Sequence, residues 1–380
     1  MNDKQHKALL PQGLRDLLPP QAAVEAALVE RLMAVLASHG YDRVEPPLVE
    51  FEDNLLSGAG ADMASETFRL MDPVSQRMIG VRADMTPQVA RIAQTRLANA
   101  PRPLRLSYAG QVLRVKGGQL RPERQLGQVG AELIGSDEIA ADVEALAVAA
   151  EALDAVGMAN VSVDLTLPRL VPSLCIALGL DAARTERMRA ALDHKDAAAV
   201  AAVGGGKAAG LMGKLLAAAG KADKVLAVLA KLDLPGDAAA ECARLATVVA
   251  QLKSRIPTLA ITIDPVENRG FEYHTGVSFA FFARGVRGEL GRGGRYRTGN
   301  GEGEPATGFT IYADTVMQAA TEPARARRLF VPQDADAALA KQLRAEGWVT
   351  VAGLAPVDSR KEARRLQCTH CLLGKEIVAV

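Results

Sequence analysis

The sequence predicts an α+β protein in which an antiparallel sheet is flanked by helices, with an all-helical insert and a short C-terminal α/β tail. Helical periodicity alternates with short strand signals through residues 1–171, and strand signals return at 257–320. Residues 172–256, between them, are rich in Ala, Leu, Lys and Asp and lack convincing strands. The predicted domains are a core in two parts (1–171 and 257–320), the helical insert (172–256) and the tail (326–380).

In the first part of the core, Gln21–His39 is predicted to be a helix. Its apolar residues recur at helical spacing, and Gly40 follows at the position of a C-terminal cap. Glu66–Val81 is predicted to form two strands around a turn, and Thr86 is predicted to be the N-cap of the next helix. The other elements predicted here are strands at 104–108, 111–115 and 128–134 and a helix at 137–155.

In the second part of the core, glycine-rich turns such as Gly291–Arg295 are predicted to separate three strands, a spacing that favours antiparallel hairpins. Those strands are predicted at 259–263, 276–282 and 306–312. The tail is predicted to contain strands near 329, at 349–352 and at 371–373, with helices at 335–346 and 358–366.

The composition is that of an ordinary globular protein. Of the 380 residues, 45 are Lys or Arg and 44 are Asp or Glu, so no global charge favours nucleic acid or an anionic membrane. Aromatic residues make up 4%, which disfavours base-stacking surfaces. No apolar run approaches the ~20 residues of a membrane span, and no segment is typical of a signal peptide. We therefore expect a cytoplasmic chain that binds neither nucleic acid nor membrane.

Two short motifs suggest a metal or a phosphate and fail on inspection. Cys368-Thr-His-Cys371 is a CxxC, but a structural zinc site needs four ligands and the remaining histidines supply no second pair. Gly204-Gly-Gly-Lys207 lacks both the leading glycine and the Ser or Thr of a phosphate-binding loop. The sequence predicts no metal and no cofactor.

Four separated segments place polar residues on elements that otherwise look buried. They are Arg82–Gln88, Leu113–Gly135, Arg269–Gly276 and Gly293–Tyr296. Gln128, Gly130 and Glu132 share one face of a predicted strand, so that face is polar around a glycine. Such a face suits a small cationic or amphoteric ligand, although a buried ion pair between Glu132 and Arg269 would also explain these residues.

Taken together, these segments resemble the catalytic core of histidyl-tRNA synthetase, a class II aminoacyl-tRNA synthetase, from Gly13 to about Tyr312. The motifs are the Arg15-Asp16…Pro19 opening, the hairpin leading into Asp84-Met-Thr86, the Gln128…Glu132 strand, Arg269-Gly-Phe-Glu-Tyr273 and Gly293-Gly-Arg-Tyr296. The resemblance implies a class II synthetase-like fold.

The resemblance also implies a histidine pocket. Asp84 and Thr86 would contact the α-amino group of histidine, Gln128 and Arg269 its carboxylate, and Glu132 and Tyr273 its imidazole. Arg114 matches the phosphate-binding arginine of motif 2 and completes the candidate set. These roles are chemically consistent, because a carboxylate beside an imidazole fixes its orientation and favours its protonated form.

The ATP side of the same site departs from the family pattern. Lys116 stands where the family has Glu. In the last motif, Tyr312 stands at the glycine that lies under the adenine, and Thr315 stands at the arginine that stacks on the nucleotide. The tail of about fifty-five residues is also shorter than a domain of the usual size. We therefore expect a degenerate ATP site at Lys116, Tyr312 and Thr315, and no catalytic residues.

A retained amino-acid pocket beside a lost nucleotide pocket resembles the regulatory subunits of ATP phosphoribosyltransferase, a family of synthetase paralogues. This resemblance implies a non-catalytic chain that is required, with a short-form catalytic subunit, for the first step of histidine biosynthesis. It further implies self-association as a dimer through the motif 1 helix and strand, and feedback inhibition by L-histidine. The inhibitory histidine would bind in the old substrate pocket or at a subunit interface. A divergent adenylating enzyme and an RNA-binding or kinase-associated sensor remain as alternatives.

Overall fold

The computed structural model describes residues 9–57, 60, 63–118, 122–267, 273–299, 303–319 and 327–380. The chain divides into two compact units, Met1–Thr321 and Glu322–Val380. The predicted domain boundaries stay predictions, because this division concerns only the boundary between these two units.

The first unit alternates strands and helices before and after a mainly helical stretch. Its strands are β1 (Asp42–Arg43), β2 (Val49–Phe51), β3 (Phe68–Met71), β4 (Met78–Val81), β5 (Leu104–Leu113), β6 (Gln125–Ile134), β7 (Val161–Thr166), β8 (Gly220–Lys221), β9 (Ala260–Asp264), β10 (His274–Ala283), β11 (Gly291–Arg297) and β12 (Pro305–Tyr312). Its helices are α1 (Gln21–Ser38), α2 (Glu52–Leu55), α3 (Thr86–Thr95), α4 (Ile139–Ala155), α5 (Leu170–Ala177), α6 (Ala182–Asp193), α7 (Ala197–Gly204), α8 (Gly206–Ala217), α9 (Ala222–Leu229), α10 (Gly236–Arg255) and α11 (Ala313–Met317).

Nine of these strands form one sheet in the order β1-β5-β6-β12-β11-β10-β7-β9-β8. The pairs β1·β5 and β7·β9 are parallel, and the other pairs are antiparallel. A separate antiparallel sheet has the order β2-β4-β3 and contains the predicted hairpin. The predicted fold class, an antiparallel sheet flanked by helices, is confirmed.

The core lies between the large sheet and its helices. Leu32 and Leu36 of α1 are fully buried together with Leu146 and Leu153 of α4. The helices of the predicted insert contribute to this same apolar cluster, and α10 packs against α4. The insert also contains the two-residue strand β8, which pairs with β9 at the edge of the sheet. Such a strand is too short to give a periodic signal in the sequence.

The prediction of a glycine-rich turn at Gly291–Arg295 is wrong, because these residues lie in β11. The glycines are required by close packing on both sides of the strand rather than by a turn. A side-chain carbon on Gly293 would lie 2.7 Å from the ring of Phe279 in β10. One on Gly294 would lie 2.7 Å from the hydroxyl of Ser278. Glycine within a strand marks such a close approach as readily as it marks a turn.

The second unit is a small α/β fold. Its elements are β13 (Arg328–Val331), α12 (Ala337–Ala345), β14 (Val349–Ala352), α13 (Ser359–Arg365), β15 (His370–Leu373) and β16 (Glu376–Ala379), and its sheet has the order β14-β13-β15-β16. Asp336 and Asp358 cap the two helices by accepting backbone N–H hydrogen bonds at 2.8 Å. The last strand was not predicted; it pairs antiparallel with β15 through a turn at Gly374, whose φ is +61°.

Candidate functional site

The register of the central strands gathers polar side chains on one face of the sheet. Glu132 of β6 lies opposite Leu106 of β5 and Gly308 of β12. Two residues along, Gly130 lies opposite Tyr108 and Thr310. Because side chains alternate between faces, these positions and Gln128 share one side of the sheet. The predicted polar face of β6 is therefore extended by residues from both neighbouring strands.

The Glu132 carboxylate is the centre of this face and is only 1% exposed. It accepts hydrogen bonds from the Tyr296 hydroxyl at 2.9 Å, from the Thr86 hydroxyl at 3.0 Å and from the Tyr108 hydroxyl at 3.4 Å. Burial raises the pKa of Glu132 to about 8, although the hydrogen bonds from Tyr296 and Thr86 oppose that shift. Near neutral pH, this raised pKa favours the protonated form of the Glu132 carboxyl.

Two glycines make room for this arrangement. A side-chain carbon at Gly308 would overlap the carboxylate of Glu132, and one at Gly130 would overlap the phenol of Tyr108. The glycine between Gln128 and Glu132 on the predicted polar face is thus explained by the ring of Tyr108, which lies over Gly130. Neither glycine can be replaced without moving a buried polar group.

Asp84 and Gln128 form a second polar pair beside Glu132. The Gln128 amide donates to an Asp84 carboxylate oxygen at 2.8 Å, and its carbonyl oxygen accepts the backbone N–H of Met85 at 3.0 Å. The other Asp84 oxygen accepts the backbone N–H of Thr86 at 2.9 Å. Both polar atoms of the buried Gln128 amide therefore orient the start of α3 and the Asp84 carboxylate.

The prediction that Thr86 is the N-cap of this helix is wrong. Met85 occupies the cap position, and Thr86 is the first helical residue. The Thr86 hydroxyl points to Glu132 instead of to a backbone N–H of its own helix. A Thr before a Pro is typical of a helix start, but the demand of a buried carboxylate for donors decides where the hydroxyl lies.

These residues surround a cavity of about 320 Å³, a volume that includes space open to solvent. Asp84, Thr86, Glu132 and Tyr273 line it, and the structure thus brings four predicted residues together. Gln128 reaches it through Asp84. Arg114 is not among its described lining residues and pairs with Glu66 at 3.4 Å. The predicted carboxylate contact, Arg269, lies outside the described residues.

Sequence reasoning missed several residues of this cavity. Arg292 and Thr310 line it, and Tyr108 and Tyr296 hold Glu132. Arg292 forms a bidentate ion pair with Glu289, with distances of 2.7 and 2.8 Å. Tyr296 ends a motif that the sequence had singled out, so a signal existed for it. Tyr108 and Thr310 depend on the register of three strands, which a single sequence does not give.

The predicted degenerate ATP site is spread over different environments. Lys116 is exposed, Tyr312 is buried and lines the cavity, and Thr315 is buried in α11. Asp314, between the last two, accepts the backbone N–H of Gly127 at 2.7 Å. The Asp314 carboxylate therefore holds β6 to α11.

In the described ranges, no group of three or more His, Cys, Asp or Glu residues is placed to hold a metal ion. The four cysteines are free and buried. Among the helices described above, none is long and apolar enough to cross a membrane.

Comparison with known proteins identifies the family. A family model described as histidyl-tRNA synthetase matches residues 13–316. An ATP phosphoribosyltransferase regulatory subunit from Paramagnetospirillum magneticum is 59% identical over 100% of both chains. The chain belongs to the family of ATP phosphoribosyltransferase regulatory subunits. A second regulatory subunit, from Rhodospirillum centenum, is 58% identical over 97% of this chain and 96% of the relative.

Solved structures have the same fold as this regulatory subunit. A structure from Bacillus halodurans, described as an ATP phosphoribosyltransferase regulatory subunit/histidyl-tRNA synthetase, superposes with a TM-score of 0.82 at 23% identity, covering 94% of this chain and 96% of that one. The histidyl-tRNA synthetase of Nostoc gives 0.78 at 19% identity, covering 96% and 91%. The predicted class II synthetase-like fold is confirmed, and the relation to the synthetases is that of a paralogue. Family membership also confirms the prediction of a regulatory rather than a catalytic chain.

Proposed function

We propose that this regulatory subunit binds L-histidine in the cavity at Glu132 and reports its concentration to a short-form ATP phosphoribosyltransferase catalytic subunit. The observation that supports the ligand is the buried carboxylate of Glu132, held by three hydroxyl donors at the wall of a cavity. A buried acid facing a cavity favours a ligand with a basic nitrogen, because pairing offsets its burial.

Each polar part of histidine has a chemically matched position. The imidazole would lie against Glu132 and Tyr273, where transfer of a proton from the carboxyl to the ring forms a buried ion pair. The α-ammonium would meet Asp84, whose carboxylate is oriented by Gln128. Another amino acid in the cavity would leave some of these buried polar groups without a partner. That cost is the source of discrimination in favour of histidine.

The predicted nucleotide side of the site, at Tyr312 and Lys116, supports a regulatory role for the same cavity. By the resemblance to the synthetases, Tyr312, which lines the cavity, would stand where adenine requires open space, and Lys116 would stand in place of an acid. We infer that the chain binds histidine without activating it. Feedback then requires that histidine bind one state of the complex more tightly than another, with a typical coupling of ~1–3 kcal/mol.

We also propose that the chain assembles with itself and with the catalytic subunit. The chain would self-associate through α1 and the segment that follows it, where Leu48 is 51% exposed. It would bind the short-form catalytic subunit and no nucleic acid, in keeping with its balanced charge. Copurification of the two subunits followed by mass measurement gives the stoichiometry.

Reconstitution tests the proposed function. Phosphoribosyltransferase activity is measured for the catalytic subunit alone and with this chain, and histidine-dependent ATP–pyrophosphate exchange is measured for this chain alone. We expect activity to rise on mixing, to fall when histidine is added, and exchange to be absent. Exchange stimulated by histidine would show an adenylating enzyme and overturn the proposal.

A further inference from the structure

A second cavity lies next to the first and shares two of its walls. It is lined by Arg169 and Arg189 together with Thr275, and Tyr273 and His274 line both cavities. The space within it is about 670 Å³, a volume that includes space open to solvent. No function described above uses it.

The described lining of this cavity carries two guanidinium groups and no acidic side chain. The Arg189 Nε is buried and has no hydrogen-bond partner in the described part of the chain. Arg189 pairs with Glu186, whose carboxylate lies 3.8 Å from the Arg189 Nη1 and whose side chain is 77% exposed. An exposed pair of this length neutralises little charge. A buried donor of a charged group without a partner is costly, and an anion would satisfy it.

Arg169 is exposed and immediately precedes α5. Its acidic neighbour is Glu241, which is also close to Arg244. Burial raises the pKa of Glu241, and the two arginines act against that shift. Glu241 thus interacts with both Arg169 and Arg244 and is not among the described lining residues of the cavity.

We propose that this second cavity binds a phosphate-bearing small molecule through Arg169 and Arg189. Guanidinium groups match phosphate oxygens in charge and geometry, and two of them lining one cavity favour a multivalent anion over a monovalent one. The Thr275 hydroxyl supplies a further donor. The bound molecule touches Tyr273 and His274, so its occupancy is felt at the first cavity. Anion binding does not rest on the proposed histidine function, whereas this coupling does.

Calorimetric titration of the full chain with inorganic pyrophosphate and with ribose 5-phosphate tests the proposal. We expect saturable binding of at least one of them, weakened about tenfold or more in Arg169→Ala and Arg189→Ala. Arg187→Ala is the matched control: Arg187 lies on the same helix, is exposed, and is not part of the cavity lining. The affinity of the Arg187→Ala variant for each probe should equal that of the wild type.

Three results would overturn the proposal: no saturable binding of either probe, unchanged affinity in both alanine variants, or equal affinity for malonate, which carries no phosphate. If Arg189→Ala does not fold, Arg189→Lys keeps the charge and removes the Nε, and it should still bind pyrophosphate more weakly. If the wild-type chain binds pyrophosphate or ribose 5-phosphate but does not bind histidine, the proposed function is contradicted and the anion site in the second cavity is still supported.

Discussion

The hydroxyl of Tyr296 donates a hydrogen bond of 2.9 Å to the Glu132 carboxylate, linking β11 to β6 across the intervening strand β12. Tyr296 is 2% exposed and Glu132 is 1% exposed. This pair therefore joins β11, the glycine-rich segment that the sequence predicted to be a turn, to the acid that lines the cavity.

Replacing Tyr296 with Phe should weaken histidine binding about fivefold or more, since one buried donor to Glu132 is lost while the ring remains. Calorimetric titration with histidine measures the effect. Tyr41→Phe is the matched control, because the Tyr41 hydroxyl donates to Glu144 instead of to the cavity. Equal affinities of Tyr296→Phe and wild type would show that this hydrogen bond does not support the ligand site.

Replacing Gly308 with Ala should destabilise the fold, because the new methyl group overlaps the Glu132 carboxylate. Overpacking of a core typically costs 1–3 kcal/mol, so we expect a loss of about that size in urea unfolding. Gly210→Ala is the control: nothing lies within 4 Å of the added carbon, and alanine favours the helix. A stable Gly308→Ala variant that still binds histidine would contradict the packing described here.

The stability of the ligand-free chain should depend on pH through Glu132. Its pKa is about 8 in the folded chain and near 4.5 when unfolded. The contribution of this carboxyl is therefore fully present below pH 4.5 and is lost as the pH rises through 8. Glu132→Gln does not titrate, so the free energy of unfolding of the wild type should fall relative to that of the variant between pH 5 and pH 8. Parallel pH profiles would show that the carboxyl is ionised throughout.

The buried ion pair between Arg295 and Asp142 should be essential to the fold. Two Arg295 nitrogens lie 2.8 and 2.9 Å from one Asp142 oxygen, and Arg244 binds the other oxygen at 2.9 Å. Asp142→Ala leaves the buried Arg295 without its main partner and should cost about 3–5 kcal/mol in urea unfolding. Asp233→Ala removes an exposed pair with Lys207 and should change little. A similar small effect of both variants would contradict this account.

The sequence predicted those features that depend on local pattern. The position of α1, the hairpin before Asp84 and the shared face of Gln128 and Glu132 follow from local pattern. The structure agrees with the last two and ends α1 one residue before the predicted end. The partners of Glu132 could not be predicted, because Tyr108 and Tyr296 reach it only through the pairing of non-neighbouring strands. The prediction that Thr86 is an N-cap was wrong for a similar reason, because its tertiary hydrogen bond to Glu132 overrides the local preference for a cap.

Inhibition of the reconstituted complex by histidine tests the central claim most directly. It is compared for wild type, Glu132→Gln and the exposed control Glu376→Gln, with the mass of each complex measured in parallel. We expect all three to assemble, and Glu132→Gln alone to require about tenfold more histidine or more for half inhibition, because a charged partner of the ligand is lost. An unchanged histidine dependence in Glu132→Gln would show that this cavity is not the sensor.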